Sequence, residues 1–428
     1  MTERLRPLFC DHLSIMRGKY LPATYHASEA RFCRSAFGVH FDKDLLPAPG
    51  SMMMEGLPDM VLKWEPTHVR DSWHEDVRVV VGDLYDEHGA PLPLCGRGAL
   101  RRAVEAWKGL GYTPRIGIEF ECFALQRAED GSLVPYDNPG GVVYGTGPFT
   151  DPARFMDAIW ETAEELDFRL EMMTAEYDAP QFEFTLRHDD ALAAMDEAVL
   201  FRLMAREIAL EHGVLLTFLP KPLEDRGGSG LHFNVSLDDE RGENAFATGA
   251  KGGPGHMTDL MKGCVAGLVH HHKGLAGLLA PTANSYHRLQ PASLSGYWKN
   301  WGGDHRNVTT RVPAEGGAKA RFEHRMADAA ANPYTAAAAV LQAARLGVTE
   351  GYDLPPKETG DGFEHTDATE GVAGSLAEAL DDLEADTALA EAVGADLVAN
   401  QLFMRRQEVE KTGGLEGASL RDFYVWYI

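Results

Sequence analysis

Seven ionisable side chains of this chain stand at alternating positions in four short segments: Glu119 and Glu121 in Ile116–Phe123, Glu183 in Gln181–Leu186, His232 in Gly230–Leu237, and Arg321, Glu323 and Arg325 in Arg321–Met326. Residues i and i+2 of a strand share a face, so each segment turns a charged edge one way and an apolar edge the other. The apolar edges carry Ile116, Ile118, Phe120, Phe182, Phe184, Leu231, Phe233 and Phe322, which are bulky enough to form a core. The charged face therefore reads as the wall of a reaction chamber. Gathering carboxylates away from bulk water costs several kcal/mol apiece unless cations neutralise them.

Glu119, Glu121, Glu176, Glu183, His232 and Glu323 supply oxygen and imidazole donors with no thiolate among them. That donor set suits Mg²⁺ or Mn²⁺ better than zinc, which takes fewer and softer ligands. A single E-x-E is more often an exposed strand edge; four segments with the same pattern favour metal ligation. Arginine is the second theme, with Arg288, Arg306, Arg311, Arg321 and Arg325 falling within forty residues of an acidic chain. Guanidinium forks suit carboxylates and phosphates and stay charged when buried. Salt bridges that steady an acidic protein are the competing explanation. Divalent cations together with convergent arginines point to phosphoryl transfer, which depends on positioning and charge neutralisation.

The elements needed to hold these residues are legible in outline. Residues 1–97 mix short apolar runs, such as Val77–Val81, with turn-rich pieces such as 46–51, as a small β domain would. Residues 98–428 form the larger unit. Helical spacing predicts helices over Gly98–Leu110, Asp151–Leu166, Asp189–His212, His256–Leu279, Ala329–Leu346 and Ser375–Glu410, with an exposed loop over Gly360–Gly374. The class is α+β.

A net charge of -25, from 40 Lys and Arg against 65 Asp and Glu, offers no basic footprint for nucleic acid. The first residues lack the apolar run of a signal peptide, and no window has the length of a membrane span, so a cytoplasmic protein with no membrane partner is expected. Cys10, Cys33, Cys95, Cys122 and Cys264 have no paired spacing and are expected as free, mostly buried thiols. The chain has no P-loop motif and no G-x-S-x-G nucleophile elbow. The Gly227-Gly-Ser-Gly230 run could wrap a ligand with backbone N–H groups or could be a plain turn. His270-His-His272 lies within a helical pattern and is expected to pack or be exposed rather than bind metal.

The order of the pieces resembles one family from end to end: Glu119-x-Glu121, Glu176 with Gln181-x-Glu183, Pro220-Lys-Pro, Gly228-Ser-Gly-Leu-His232, Asn284 through Arg288-Leu, Arg306, Arg311, Arg321-Phe-Glu323-His-Arg325 and Asn332-Pro-Tyr334. It is the glutamine synthetase family, and Asp11 through Arg17-Gly-Lys19 resembles the opening of its amine-ligase branches, which make γ-glutamyl polyamines or γ-glutamyl methylamide. The resemblance implies a β-grasp-like N-terminal domain and a large catalytic domain with a curved antiparallel sheet flanked by helices. It implies one Mg²⁺ or Mn²⁺ on Glu121, Glu176 and Glu183 and a second on Glu119, His232 and Glu323. By the same resemblance Arg288, Arg325 and Gly228 would hold the amino acid, Arg306 would neutralise the moving phosphoryl group, and Arg311, Arg321, Asn234 and Ser236 would hold ATP. A homododecamer of two stacked rings, with sites shared between subunits, is also implied.

Two departures bear on the substrate. The Asp-Gly-Ser-Ser stretch of ammonia-using members has no counterpart here, and Leu294 stands where their Pro-Gly-Tyr-Glu-Ala-Pro stretch places a Glu over the site. Losing two anions weakens recognition of a small hydrated cation and opens apolar room. Gly227 stands where an Asn usually begins the glutamate loop, and Asn234 where a nucleotide-facing His is common; the first leaves open whether the acid is glutamate. The expected activity is ATP-dependent ligation of glutamate to a substituted amine through a γ-glutamyl phosphate, in nitrogen or amine metabolism. Ammonia-dependent glutamine synthesis is the second reading, and a catalytically silent assembly protein the third.

Overall fold

A computed structural model describes residues 3–428. In the small domain the strand Arg4–Cys10 runs parallel to Val77–Val81 and antiparallel to Met16–Gly18 and Leu21–Pro22, with Arg70–Asp71 completing a five-stranded sheet. A three-stranded antiparallel sheet, Glu29–Cys33, Asp59–Lys63 and Asp83–Tyr85, packs on it around Phe9, Phe37, Met60 and Leu62. This small sheet domain with a parallel central pair precedes a large mixed unit built on a nine-stranded sheet, the α+β arrangement the sequence predicts.

The four alternating segments are consecutive neighbours in that large sheet. Gln181–Asp190, Thr113–Arg127, Leu231–Asp238 and Phe322–His324 lie side by side, each pair antiparallel. The register sets Glu183 opposite Glu121, His232 opposite Glu119, and Asn234 opposite Glu323. Directly opposed residues share a face, so the charged edges of four strands merge into one surface. The other face is dry: Phe120, Phe184 and Phe233 are fully buried, and Phe184 meets Phe201 of the helix Ala191–Glu211 with centroids 5.2 Å apart. Each such aromatic contributes roughly 1.5–3 kcal/mol through burial. That burial fixes the register, because a one-residue slip would drive the carboxylates into the core.

Helices back this layer. Gly96–Lys108 lies on the alanine-rich Pro333–Glu350, and Trp107 Nε1 donates to the Leu341 carbonyl at 2.9 Å. Asn332 caps the second helix by accepting from the N–H groups of Tyr334 and Thr335, and its amide donates to the Asp11 carbonyl in the small domain at 2.7 Å.

Three predicted helices are corrected. His256–Leu279 is two helices, Asp259–His270 and His272–Leu279, parted at His271, whose ring shares a 2.7 Å hydrogen bond with Asp386. His272 bonds the Tyr297 carbonyl and His270 stacks on Tyr352, so the triplet serves packing. Ser375–Glu410 is three helices, interrupted where Asp386 caps Thr387–Val393 and where Gly394 takes a φ of 133°. The Asp151–Leu166 helix begins only at Phe155, because Arg154 is left-handed and the Asp151 carboxylate accepts from the N–H of Met156. Four of the five free cysteines are buried and Cys33 is exposed. Among the described residues no helix is long and apolar enough to cross a membrane.

Candidate active site

Three side chains from three adjacent strands meet at one point. His232 Nδ1 lies 3.2 Å from Glu119 Oε2 and 3.6 Å from Glu323 Oε1, and donor atoms of Glu119, His232 and Glu323 all fall within 4.8 Å of one another. Burial opposes the charge on Glu323, yet Arg325, His232 and Arg311 hold its carboxyl down at about 2. Glu119 is likewise held below its ordinary value, the bond and charge of His232 overcoming burial. Two ionised carboxylates and an imidazole at this spacing suit a divalent cation.

Beside them Glu121 accepts from the Gly230 N–H at 2.8 Å and from Gln181 Nε2 at 3.4 Å. Glu176 and Glu183 share a hydrogen bond, and burial together with Glu119, Glu121 and Glu176 pushes the Glu183 carboxyl up to about 9. Burial and Glu121 raise Glu176 as well. These carboxyls are crowded enough that a proton stays on one of them unless a cation takes its place. Glu121, Glu176 and Glu183 face the same cavity, while the tighter ligand spacing belongs to Glu119, His232 and Glu323.

That cavity has a volume of about 480 Å³, and Arg288, Arg306, Arg311, Arg325 and Gly228 also border it. Arg288 is buried, its guanidinium donating to the carbonyls of Met326 at 2.8 Å and Arg325 at 3.2 Å. Behind it the fully buried Asp328 is pushed up to about 6 by burial, against the pull of Arg288. Arg325 donates through Nη1 to Glu323, while its buried Nε meets no partner among the described residues. An unmet buried donor costs roughly 1–3 kcal/mol, so its place at a cavity fits a ligand acceptor. Arg306 is exposed on the rim and makes no hydrogen bond or ion pair with the described residues.

A second cavity, about 330 Å³, lies across Glu119 and is bordered by Asn234, Ser236 and Arg321. Asn234 ties the two together, its amide donating to Glu119 Oε1 at 3.0 Å and its carbonyl accepting from Arg321 Nε at 2.9 Å. Arg311 and Arg321, which the family resemblance assigns together to ATP, border different cavities: Arg311 borders the first and bonds Glu323 and Asp304, and Arg321 borders the second.

The glycine run is a built element. Gly227 donates to Asp178, Gly230 to Glu121, and the Gly228 carbonyl accepts from Gln181 at 3.0 Å, so two of its N–H groups already serve the protein's own carboxylates. A side chain at Gly230 would place Cβ 2.6 Å from His232 Nε2, which is why only glycine fits there. Tyr144, Met172, Tyr177, Asp178 and Phe363 also border the larger cavity and escaped the sequence reading. Tyr144 and Phe363 stand in irregular segments that carry no periodic signal; Asp178, two residues after Glu176, could have been suspected from proximity alone.

The arrangement can bind an anionic substrate at the arginines, cations at the carboxylates and a further ligand across Glu119. The catalytic-domain profile of glutamine synthetase matches residues 93–416. A glutamine synthetase of Pyrococcus woesei is 34% identical over 399 residues, 90% of this chain and 86% of its own length. The gamma-glutamylethanolamide synthetase of Streptomyces coelicolor is 32% identical over 420 residues, covering 94% and 88%. A solved GmaS/ADP complex superposes with a TM-score of 0.83 at 27% identity, over 97% of this chain and 95% of that one. Family members are ATP-dependent ligases. On the profile match alone, which spans most of the sequence, the chain belongs to the glutamine synthetase family.

Proposed function

We propose that the protein joins the γ-carboxylate of glutamate to a substituted amine, converting ATP to ADP and phosphate by way of γ-glutamyl phosphate. The observation that carries this reading is the cluster of Glu119, His232 and the buried Glu323, the first two of which border one cavity together with Arg288, Arg306, Arg325 and Leu294. Glu119, His232 and Glu323 would hold one Mg²⁺ or Mn²⁺, and Glu121, Glu176 and Glu183 another. Bound there, such ions would supply the positive charge that neutralises phosphate oxygens.

The remaining work falls to the chain's own residues. Arg288 and Arg325, with Gly228, hold the amino acid by its α-carboxylate, which leaves its γ-carboxylate directed at the nucleotide. Asn234, Ser236 and Arg321 hold ATP in the second cavity. Transfer breaks the bond between the β–γ bridging oxygen and the γ-phosphorus and forms a carboxyl–phosphate bond, with Arg306 balancing the charge on the group in flight. The amine lone pair then attacks the acyl carbon. The C–N bond forms, phosphate leaves, and the protons lost from the ammonium go to the departing phosphate and to solvent.

Glutamate labelled with ¹⁸O in its γ-carboxyl, incubated with ATP, Mg²⁺ and a mixed amine pool, tests this directly. One label should appear in phosphate, and mass spectrometry should find a γ-glutamyl amide of a substituted amine. A product confined to glutamine would favour ammonia as the nucleophile, a reading supported by the glutamine synthetases among the relatives. No labelled phosphate with any amine would refute the acyl phosphate.

A further inference from the structure

Most large apolar side chains of this chain are buried, yet five that stand exposed share one place. Tyr144, Met172, Tyr177, Leu294 and Phe363, exposed by 69%, 41%, 79%, 42% and 60%, all border the larger cavity. Several exposed apolar side chains bordering one polar chamber mark a place where something apolar sits. The five arrive from four stretches of chain, with Met172 and Tyr177 at one strand end, and the stretches carrying Tyr144 and Phe363 are tied down. The Tyr144 N–H donates to the Ala175 carbonyl at 2.8 Å. Asp361 accepts from the N–H groups of Phe363, Glu364 and His365, and its own carbonyl accepts from Asn307, the residue after Arg306. Glu358 gathers donors from Asn300, Thr366 and the backbone of Gly360 and Asp367 to close the same loop. Tyr144 and Leu294 stand at φ of 62° and 57°, a region bulky side chains avoid unless their surroundings impose it.

Resting on the ligase reading above, we propose that this rim takes the hydrocarbon part of a primary monoamine, so that the preferred nucleophile carries an alkyl or aromatic tail and is neither ammonium nor a diamine. Of the carboxylates that border the cavity, Glu121, Glu176 and Glu183 are committed to a cation in the reading above, and Asp178 accepts from the Gly227 N–H. Aromatic faces attract cations, but a strongly hydrated primary ammonium at the far end of a diamine also needs several hydrogen-bond acceptors; Leu294 and Phe363 offer none, Met172 only a weak thioether, and Tyr144 and Tyr177 one hydroxyl each. A methylene moved from water onto such a rim is favoured by a factor of roughly three to four.

The test is kcat/KM with ATP and glutamate across methylamine, propylamine, pentylamine and phenethylamine, with 1,5-diaminopentane as a charged counterpart of pentylamine. The rim predicts a rise of roughly three- to fourfold per methylene up to pentylamine, and a diamine at least about tenfold worse. Leu294→Glu should shrink the advantage of pentylamine over the diamine, and Phe363→Ala should raise the KM for pentylamine far more than the KM for ATP. Amide formation with a flat or inverted tail dependence, or with the diamine preferred, would overturn the tail site and leave the ligase reading standing. No amide with any amine would overturn both. Variants that change subunit assembly by size-exclusion chromatography while amine selectivity stays as in the wild type would show the rim to be a contact between copies of the chain, which also overturns the proposal.

Discussion

Gly230→Ala separates the geometry of the site from the stability of the fold. The new Cβ would stand 2.6 Å from His232 Nε2 and 2.8 Å from Arg288 Nη2. Restoring an ordinary contact of about 3.4 Å requires the imidazole to retreat by about 0.8 Å and the guanidinium by about 0.6 Å. Neither has room to yield freely, since His232 is 2% and Arg288 4% exposed. The imidazole that moves is the one shared by Glu119 and Glu323, so the ligand set is disturbed together with the arginine proposed to hold the amino acid. A displacement approaching 1 Å at reacting groups costs about 10²-fold in rate, and loosening groups that orient a metal site costs roughly 10- to 100-fold in affinity. The backbone at Gly230 is not left-handed, so alanine adds no backbone strain and the cost to the fold is the overpacking, about 1–3 kcal/mol. Thermal denaturation should therefore show a modest change, while calorimetric titration with Mn²⁺ and steady-state turnover both fall. Wild-type Mn²⁺ affinity together with wild-type kcat would refute the reasoning.

Arg306→Ala should lower kcat by roughly 10³-fold with assembly intact, as for an arginine that acts on the transition state; an unchanged kcat would remove it from the phosphoryl group. Arg405 and Glu408 form a fully buried pair at 2.5 Å, and Glu408 also accepts from the Tyr424 hydroxyl and the Ala283 N–H, so Glu408→Gln should cost about 3–5 kcal/mol in urea unfolding, and a loss under about 1 kcal/mol would contradict that. Because Asp328 is pushed up to about 6, the folded protein binds its proton more tightly than the unfolded chain does. Its favourable term is present at low pH and is lost as pH rises from about 4 to about 6, on the order of 3 kcal/mol. Asp328→Asn should flatten that stretch of the stability–pH curve, and an unaltered curve would show that Asp328 does not titrate there.

Much of the site was legible because alternation is a local signal. Glu119, Glu121, Glu183, His232 and Glu323 announce a charged face through the apolar residues between them, and the structure makes their four segments neighbours. Register was not legible: alternation says which face a residue takes but not which residue it meets, so the pairing of His232 with Glu119 and the separation of Arg311 from Arg321 needed coordinates. The rim was hidden for another reason. Tyr144 and Phe363 are placed by irregular turns, tied through the Ala175 carbonyl and through the Asp361 and Glu358 carboxylates, which leave no period in the sequence. The long helical patterns overran their breaks because His271 and Asp386, distant in sequence, stop them by bonding each other.

The proposed catalysis depends on cations gathered by carboxylates from neighbouring strands. Anomalous diffraction from crystals grown with Mn²⁺ and ADP tests it most directly. The predicted map has one manganese peak touching Glu119, His232 and Glu323 and another touching Glu121, Glu176 and Glu183. A map with manganese elsewhere, or with none at these side chains while nucleotide is bound, would contradict it.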